Sequence, residues 1–371
     1  MKIAFAILLA IHGAIHLLGF AKAARILELP MLRTPIGRPL GVVWLIAALA
    51  CFATVVLLFT TPDRWWVAAG VAVVLSEAVI ITAWADAKFG TVVNLVVLVP
   101  LVLSLLDLRS SSLRSIYREK SERVLARDWT TSVVTDADLA PLPPLVQTYL
   151  RRVGVVGRPR VHDFRAEFRG QMKSAASSGW MTVQVEQIEE LETPTRLFFM
   201  RASRSGVPFV GLHVYEGSSA SMQVKVASLF DVVDARGPEM DRSETVTLFN
   251  DMCLLAPASL LDADVTWRQL DDHRVGATFR NRDISVSAEL FFDGEGDLVN
   301  FVSTDRDQSA DGKTFKRFPW STPVREYRSV GGHRIAAVAD ATWTEPSGEW
   351  VYARFELVAI EYNVRVDAGA R

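Results

Sequence analysis

Four long apolar stretches fill the first 108 residues: Ile3 to Phe20, Leu40 to Phe59, Trp66 to Ala85 and Thr91 to Leu106. A bilayer core about 30 Å thick is crossed by a helix of roughly 20 residues, so each stretch reads as a membrane span. The first resembles a signal peptide, with one lysine before a short apolar run, but three more spans follow and no clean small-residue cleavage site ends it. Trp44, Trp65, Trp66 and Trp84 stand at or near span ends, where indole rings favour the headgroup level. The link Asp86-Ala87-Lys88-Phe89-Gly90 is short enough to make spans three and four an antiparallel hairpin, and Pro100 is expected to kink span four.

Beyond Leu108 the pattern changes. From Asp107 to about Ala126 the chain is charged and compatible with a helix, carrying Arg114, Arg118, Lys120 and Arg123. This segment is either a basic juxtamembrane helix resting on anionic headgroups or a solvated continuation of the fourth span. A turn-like run ends in Pro141, Pro143 and Pro144, and Leu145 to Arg152 then reads as a short amphipathic helix. From there the apolar period becomes two. Phe164, Ala166 and Phe168 alternate with charges, as do Met181, Val183 and Val185, then Met222, Val224 and Val226, then Ile284, Val286 and Ala288. Such alternation marks antiparallel strands with one dry and one wet face. Further strands are expected at 195–202, 208–216, 264–270, 273–280, 297–304, 333–344 and 349–361. Turn signals separate them at Gly206, Gly217, Asp293-Gly294, Gly331-Gly332 and Ser347-Gly348.

One segment inside this pattern is helical. Asp241 followed by Glu244 reads as a capping box, with Val246, Phe249, Met252, Cys253 and Ala256 as the apolar face and Pro257 as the stop. The order is about five strands, this helix, then about six strands. A sheet that long curls to bury its apolar face, and a central helix closes the concave side. The fold class is therefore α+β: a four-helix transmembrane bundle (1–108), a juxtamembrane helix and linker (109–144), and a curled antiparallel sheet, an incomplete barrel, enclosing one helix (145–365).

Composition sharpens this in three places. Half of the 371 residues are hydrophobic, high for a wholly soluble chain. The net charge of −2 sets up no basic field for nucleic acid. Of the two cysteines, Cys51 lies in a span and Cys253 in the soluble part, so no disulfide can form within the soluble part. Basic residues favour cytoplasmic termini. Lys2, Arg64, Arg109, Arg114, Arg118, Lys120, Arg123 and Arg127 fall on the side of the termini, and Lys22, Arg25, Arg33, Arg38 and Lys88 on the other, eight against five. The expected location is the cytoplasmic (inner) membrane, with several passes and the lipid bilayer as partner.

Three groups of residues are candidates for chemistry. Glu239, Asp241 and Glu244, with Asn250 and Asp251 further along, could form an acid–base or cation site, or simply be carboxylates favoured by a helix N-terminus. Asp305, Arg306 and Asp307 follow a strand and precede the loop Gln308 to Lys316, and could line a cavity mouth or form a surface ion-pair cluster. His12 and His16 share one helix face, and with Glu77 they could hold a metal or relay protons, or fix the bundle by hydrogen bonds together with Asn94. There is no phosphate loop, dinucleotide fingerprint, nucleophile elbow or paired-cysteine metal motif, so the sequence names no cofactor.

Several strings resemble a bacterial family of uncharacterised membrane proteins classed as a domain of unknown function. They are "IHGAIHLLGFAKA", "WADAKFGTVVNL", "PLPPLVQTYLRRVGVVGRPRV", "DARGPEMDRSETVTLFNDMCLLAP" and "FVSTDRDQSADGKTFKRFPWSTPVREYR". The resemblance implies four membrane helices and this soluble domain, and no activity. The curled sheet with its helix is also similar in plan to the periplasmic lipoprotein carriers, which work on the opposite side of the membrane from that favoured by the charge count. Three readings follow: a membrane-tethered module that binds a lipid or acyl chain; a membrane-associated enzyme using Glu239, Asp241, Glu244 and Asp251; or a metal or proton site at His12, His16 and Glu77.

Overall fold

The computed structural model describes residues 2–127, 129–130, 132–330 and 332–365, so Gly331 of the Gly331-Gly332 turn lies outside the described residues. The chain divides into two compact units, Met1–Arg109 and Ser110–Arg371.

The first unit holds α1 (Lys2–Ala23), α2 (Arg38–Thr60), α3 (Trp65–Thr82), the one-turn α4 (Trp84–Ala87) and α5 (Gly90–Asp107). Four of these, α1, α2, α3 and α5, are long and apolar enough to cross a membrane. Their large side chains point outward: Ile3, Ile7, Ile11 and Ile15 form an exposed stripe along α1. The interior is made of small residues, with Ala47, Ala48, Ala69 and Ala72 buried. Water would penalise such an inside-out arrangement, whereas hydrocarbon favours it, because close backbone packing replaces the hydrophobic drive. Gly19 lets the Trp44 ring lie against α1, since a Cβ there would meet the indole at 2.3 Å. Trp44 is therefore an interior residue of the bundle and not the interface residue expected from its place near a span end. The link between the third and fourth spans is a helical turn, α4, and Pro100 sits inside α5.

The second unit opens with α6 (Leu113–Leu125), α7 (Asp136–Leu139) and α8 (Pro144–Arg152). Of the two expectations for α6, the continuation of the fourth apolar helix is corrected. Instead α6 is a separate helix capped by Ser112, and its Leu113, Tyr117 and Leu125 face packs on Ile188, Leu197, Phe199 and Leu212. It neither continues the fourth span nor leaves that face free.

The sheet follows as β1 (Asp163–Met172), β2 (Met181–Glu190), β3 (Thr195–Arg204), β4 (Val207–Glu216), β5 (Ser219–Val226) and β6 (Phe230–Arg236). Then come α9 (Pro238–Leu254), a 3-10 turn (Pro257–Leu261), β7 (Val265–Gln269), β8 (Arg274–Asn281), β9 (Ile284–Phe292) and β10 (Leu298–Ser303). Three two-residue strands, β11 (Asp307–Gln308), β12 (Lys316–Arg317) and β13 (Trp320–Ser321), precede β14 (Val324–Val330), β15 (His333–Glu345) and β16 (Gly348–Tyr362). All but β11 and β12 join one antiparallel sheet, in the order β6-β5-β4-β3-β2-β1-β16-β15-β13-β10-β9-β8-β7, with β14 on β15. The first and last long strands, β1 and β16, pair in the middle, so each half of the chain builds one wing.

The helix α9 touches β5 and β6 on one wing and β9 and β10 on the other, which a flat sheet of this width could not allow. The fold is thus α+β with a curled antiparallel half-barrel around one helix, as the pattern predicted. Six strands precede α9, not five. The missed strand, β6, carries exposed Asp231, Asp234 and Arg236 because it is an edge strand, and charge at an edge obscures the alternation. The capping box is also corrected. The helix starts three residues before Asp241, at Pro238, after Gly237 with φ 106°. Asp241 instead accepts the backbone N–H of Ala220 at 2.6 Å, and Glu244 turns inward. Nearly the whole of α9 is buried, from Ser243 to Leu254.

At the β1–β16 seam a Cβ on Gly170 would lie 2.0 Å from the Arg354 carbonyl oxygen. Gly170→Ala is expected to destabilise the protein by about 1–3 kcal/mol or more, because the obstacle is backbone and cannot rotate away. Gly294→Ala, with nothing within 4 Å of its Cβ position, is the control and should leave the thermal midpoint in detergent almost unchanged.

Candidate functional site

Beneath α9, the concave face of the sheet encloses a cavity of about 310 Å³. Its apolar lining is aromatic and methionine-rich: Phe168, Phe198 and Phe355 with Met172, Met200 and Met222. These come from β1, β3, β5 and β16, where alternate residues face inward. Methionine is flexible and aromatics are rigid, so the pair gives a greasy wall that adapts in places.

One wall of the cavity is polar. Arg196 on β3 is 5% exposed and sits among three buried carboxylates. Its guanidinium nitrogens lie 2.7 Å from Asp251, 3.1 Å from Glu244 and 3.1 Å from Glu189. Gln187 donates to Glu189 at 2.8 Å and to Asp251 at 2.9 Å. His213 Nδ1 lies 3.4 Å from Glu244. Arg306 is stacked over Trp320 at 4.6 Å and Trp343 at 5.3 Å, donates to Thr247 at 3.2 Å, and stands 3.9 Å from Glu244. Burial alone would raise the Glu244 carboxyl, but His213, Arg196 and Arg306 outweigh it and bring it down to about 2. Burial pushes the Glu189 carboxyl well above the usual carboxylate range, and the Asp251 charge adds to this against the pull of Arg196.

Of the residues singled out from the sequence, Glu244, Asn250, Asp251 and Arg306 meet in this cavity. Asn250 donates to Thr322 at 2.6 Å. Glu239, Asp241 and Asp305 do not line it. Asp305 accepts the Ser287 N–H at 2.7 Å, and Asp241 is spent on Ala220. Glu189, Gln187, Arg196 and His213 were missed. The sequence held one signal for them: Arg196 shares a strand face with Phe198, Met200 and Ala202, and a charge on a dry face needs buried partners.

In the first unit, His12 Nε2 lies 3.1 Å from Asn94 Oδ1 and 3.0 Å from Ser76 Oγ. Asn94 donates to Glu77 at 2.8 Å, and Thr91 donates to Glu77 at 2.9 Å. His16 Nδ1 donates to the His12 carbonyl at 2.9 Å. This is a hydrogen-bonded chain that ties α1, α3 and α5 together, with Asn94 standing between His12 and Glu77. Among the described residues, no group of three His, Cys, Asp or Glu is placed to hold a metal ion.

The model of a family of unknown function (DUF6544) matches residues 132–355, more than half of the chain, and the chain belongs to that family. No curated protein matches it. Among solved structures, it is similar to a DUF1329 family protein from Desulfovibrio piger at 10% identity and a TM-score of 0.34, over 60% of this chain and 93% of that one. It is also similar to a LolA superfamily protein from Nitrosomonas europaea at 10% identity and a TM-score of 0.36, over 62% of this chain and 94% of that one.

Two predictions follow from the polar wall. Arg196→Met leaves buried carboxylates unpaired and should cost about 3–5 kcal/mol, read by thermal unfolding in detergent. The two glutamates act in opposite senses with pH. An unfolded Glu189 loses its proton near 4.5 and the folded one only higher, so its contribution falls as pH rises above 4.5. Glu244 contributes fully above about 4.5, and that contribution is lost as pH falls towards about 2. Glu189→Gln should therefore gain stability relative to wild type as pH rises from 5 to 8. Parallel melting curves for the two proteins across that range would contradict this.

Proposed function

We propose that this member of the family is a membrane-anchored binding protein whose soluble unit takes up the hydrocarbon part of a lipid in the cavity beneath α9. The observation that carries this reading is the cavity itself. Its volume of about 310 Å³ and its aromatic and methionine lining fit a ligand recognised by apolar contact with a few placed polar groups. The polar wall, where Arg196, Arg306 and His213 meet Glu244 and Asp251, offers placed hydrogen-bonding groups to a polar inner end of the ligand. The helices α1, α2, α3 and α5 anchor the chain across the cytoplasmic membrane, and the basic excess on the side of the termini favours a cytoplasmic C-terminus.

The enzyme reading is weaker. Glu244 and Asp251 share the cavity, but both are bonded to Arg196, and the carboxyl with the raised pKa, Glu189, does not line it. A general base must take up a proton, and Glu244 is held down to about 2, while the other lining carboxylates Asp307 and Asp340 are ion-paired with Arg242 and Arg325.

Native mass spectrometry of the full chain purified in detergent tests the reading. A lipid that survives gas-phase removal of detergent and leaves on unfolding is expected. Val224→Trp fills the cavity from β5 and should lower the occupied fraction about tenfold, which corresponds to about 1.4 kcal/mol. A wild-type protein that carries no lipid, or a Val224→Trp protein that carries as much as wild type, would sink the proposal.

A further inference from the structure

The strand register reveals a second feature, outside the cavity. Directly opposed residues of an antiparallel pair point to the same face. Met200, Gly211, Val224 and Val233 form one such row across β3, β4, β5 and β6, and Met200 and Val224 line the cavity. The next row outward on this same concave face is Ala202, Phe209, Val226 and Phe230, two residues along β3, β4 and β5 and, across a bulge, three along β6. Burial falls steadily along it, from Ala202 at 5% exposed, through half-buried Phe209 and Val226, to Phe230 at 64%. The apolar lining of the cavity therefore runs on, without a polar break, to an exposed lip.

The tips beside this row are also apolar. The β3–β4 turn carries exposed Val207, and the β5–β6 turn carries exposed Leu229, with Val232 just beyond. Both turns are held tight by left-handed residues, Ser205 and Gly206 in the first and Ala227 and Ser228 in the second. The β1–β2 loop ends at the same end of the sheet, since Met172 pairs with Met181 and Thr182 with Ser203. Here Lys173 lies 5.1 Å from the Trp180 ring and 5.3 Å from Trp350, and Arg354 lies 4.9 Å from Trp180. Arg204 completes the group, because a Cβ on Gly179 would be 3.4 Å from its guanidinium. Among the described residues, Lys173, Arg204 and Arg354 are in no ion pair. Large apolar side chains at turn tips, beside tryptophans bracketed by cations, match the composition of a protein surface at the level of lipid headgroups.

We propose that this end of the sheet docks on an anionic lipid layer. Val207, Leu229 and Phe230 enter the acyl boundary, the cations meet the headgroup phosphates, and the Phe230–Ala202 row conducts a chain into the cavity. This rests on the binding reading above for its purpose, but the docking itself is measurable without it. A partner of the same composition made of protein would bury the lip and block the track to the cavity, which is why the lipid layer is favoured.

The test uses the full chain in vesicles of phosphatidylethanolamine and phosphatidylglycerol with brominated acyl chains. A fluorophore is placed at Phe230→Cys and, as the control at the opposite end of β5, at Ser219→Cys. The bromines are expected to quench position 230 at least twice as strongly as position 219, and replacing phosphatidylglycerol by phosphatidylcholine should weaken the effect. Equal quenching at the two positions, indifference to lipid charge, or shielding of position 230 by cross-linking to protein would each overturn the proposal. A second variant, Leu229→Ser with Phe230→Ser, changes only exposed residues. It should slow lipid exchange between vesicles about tenfold, about 1.4 kcal/mol in the barrier, while leaving the equilibrium lipid content of the protein unchanged. Unchanged exchange would count against docking. Loss of lipid from the wild-type cavity with quenching intact would count against the binding reading alone.

Discussion

The half-barrel depends on the attachment of one helix to one arginine. Arg196 projects from β3 into a region that excludes water, where a lone guanidinium would be untenable, and α9 supplies Glu244 and Asp251 to meet it. Seven residues separate those two carboxylates, about two turns, so both face the same strand. The pairing sets the helix's rotation about its own axis as well as its position. Apolar packing alone would allow α9 to roll, since its hydrophobic residues surround it on every side. With the roll fixed, Phe249 stacks on Phe279 at 5.1 Å on the far wing, and Tyr149 donates to the Cys253 carbonyl at 2.7 Å from α8. Buried ion networks are poor sources of stability and better attested as sources of registry, and this one acts on the orientation of a single element.

The two units solve opposite solvation problems with the same alphabet. In the first, bulky isoleucines lie outside and alanines and glycines inside, and the few polar groups, His12, Ser76, Glu77 and Asn94, bond to one another across helices. In the second, phenylalanine and leucine are inside and arginine–glutamate pairs such as Arg169 with Glu356 stand on the surface. A hydrogen bond between helices holds the first kind of interior, and area removed from water holds the second.

Much of this was readable from residue order. The four long apolar helices, the period-two strands and the buried helix followed from hydrophobic spacing, because those elements are governed by which face is buried. The misreadings have a physical pattern. Edge strands such as β6 carry charges that interrupt alternation, and the many charges of α6 hid the face of Leu113, Tyr117 and Leu125 that packs on the sheet. Trp44 was assigned by distance from a span end, whereas Gly19, a helix away, decides where its ring goes. Half of the polar wall was invisible for a similar reason. Glu244 and Asp251 share a helix and could be read together, but Arg196, His213 and Glu189 join them only through strand pairing across residues far apart in sequence.

Among the described residues the sheet does not close: β6 and β7 end its strand order, and no hydrogen-bond ladder joins them. In a closed barrel, strand number and shear fix the girth. Here side chains span the gap instead: α9 packs on both wings, and Asn281 of β8 donates to Tyr215 of β4 at 2.6 Å and to the Gly217 carbonyl. The width of the trough is accordingly set by side-chain packing and not by strand number, so it answers to substitutions that the girth of a closed barrel would ignore.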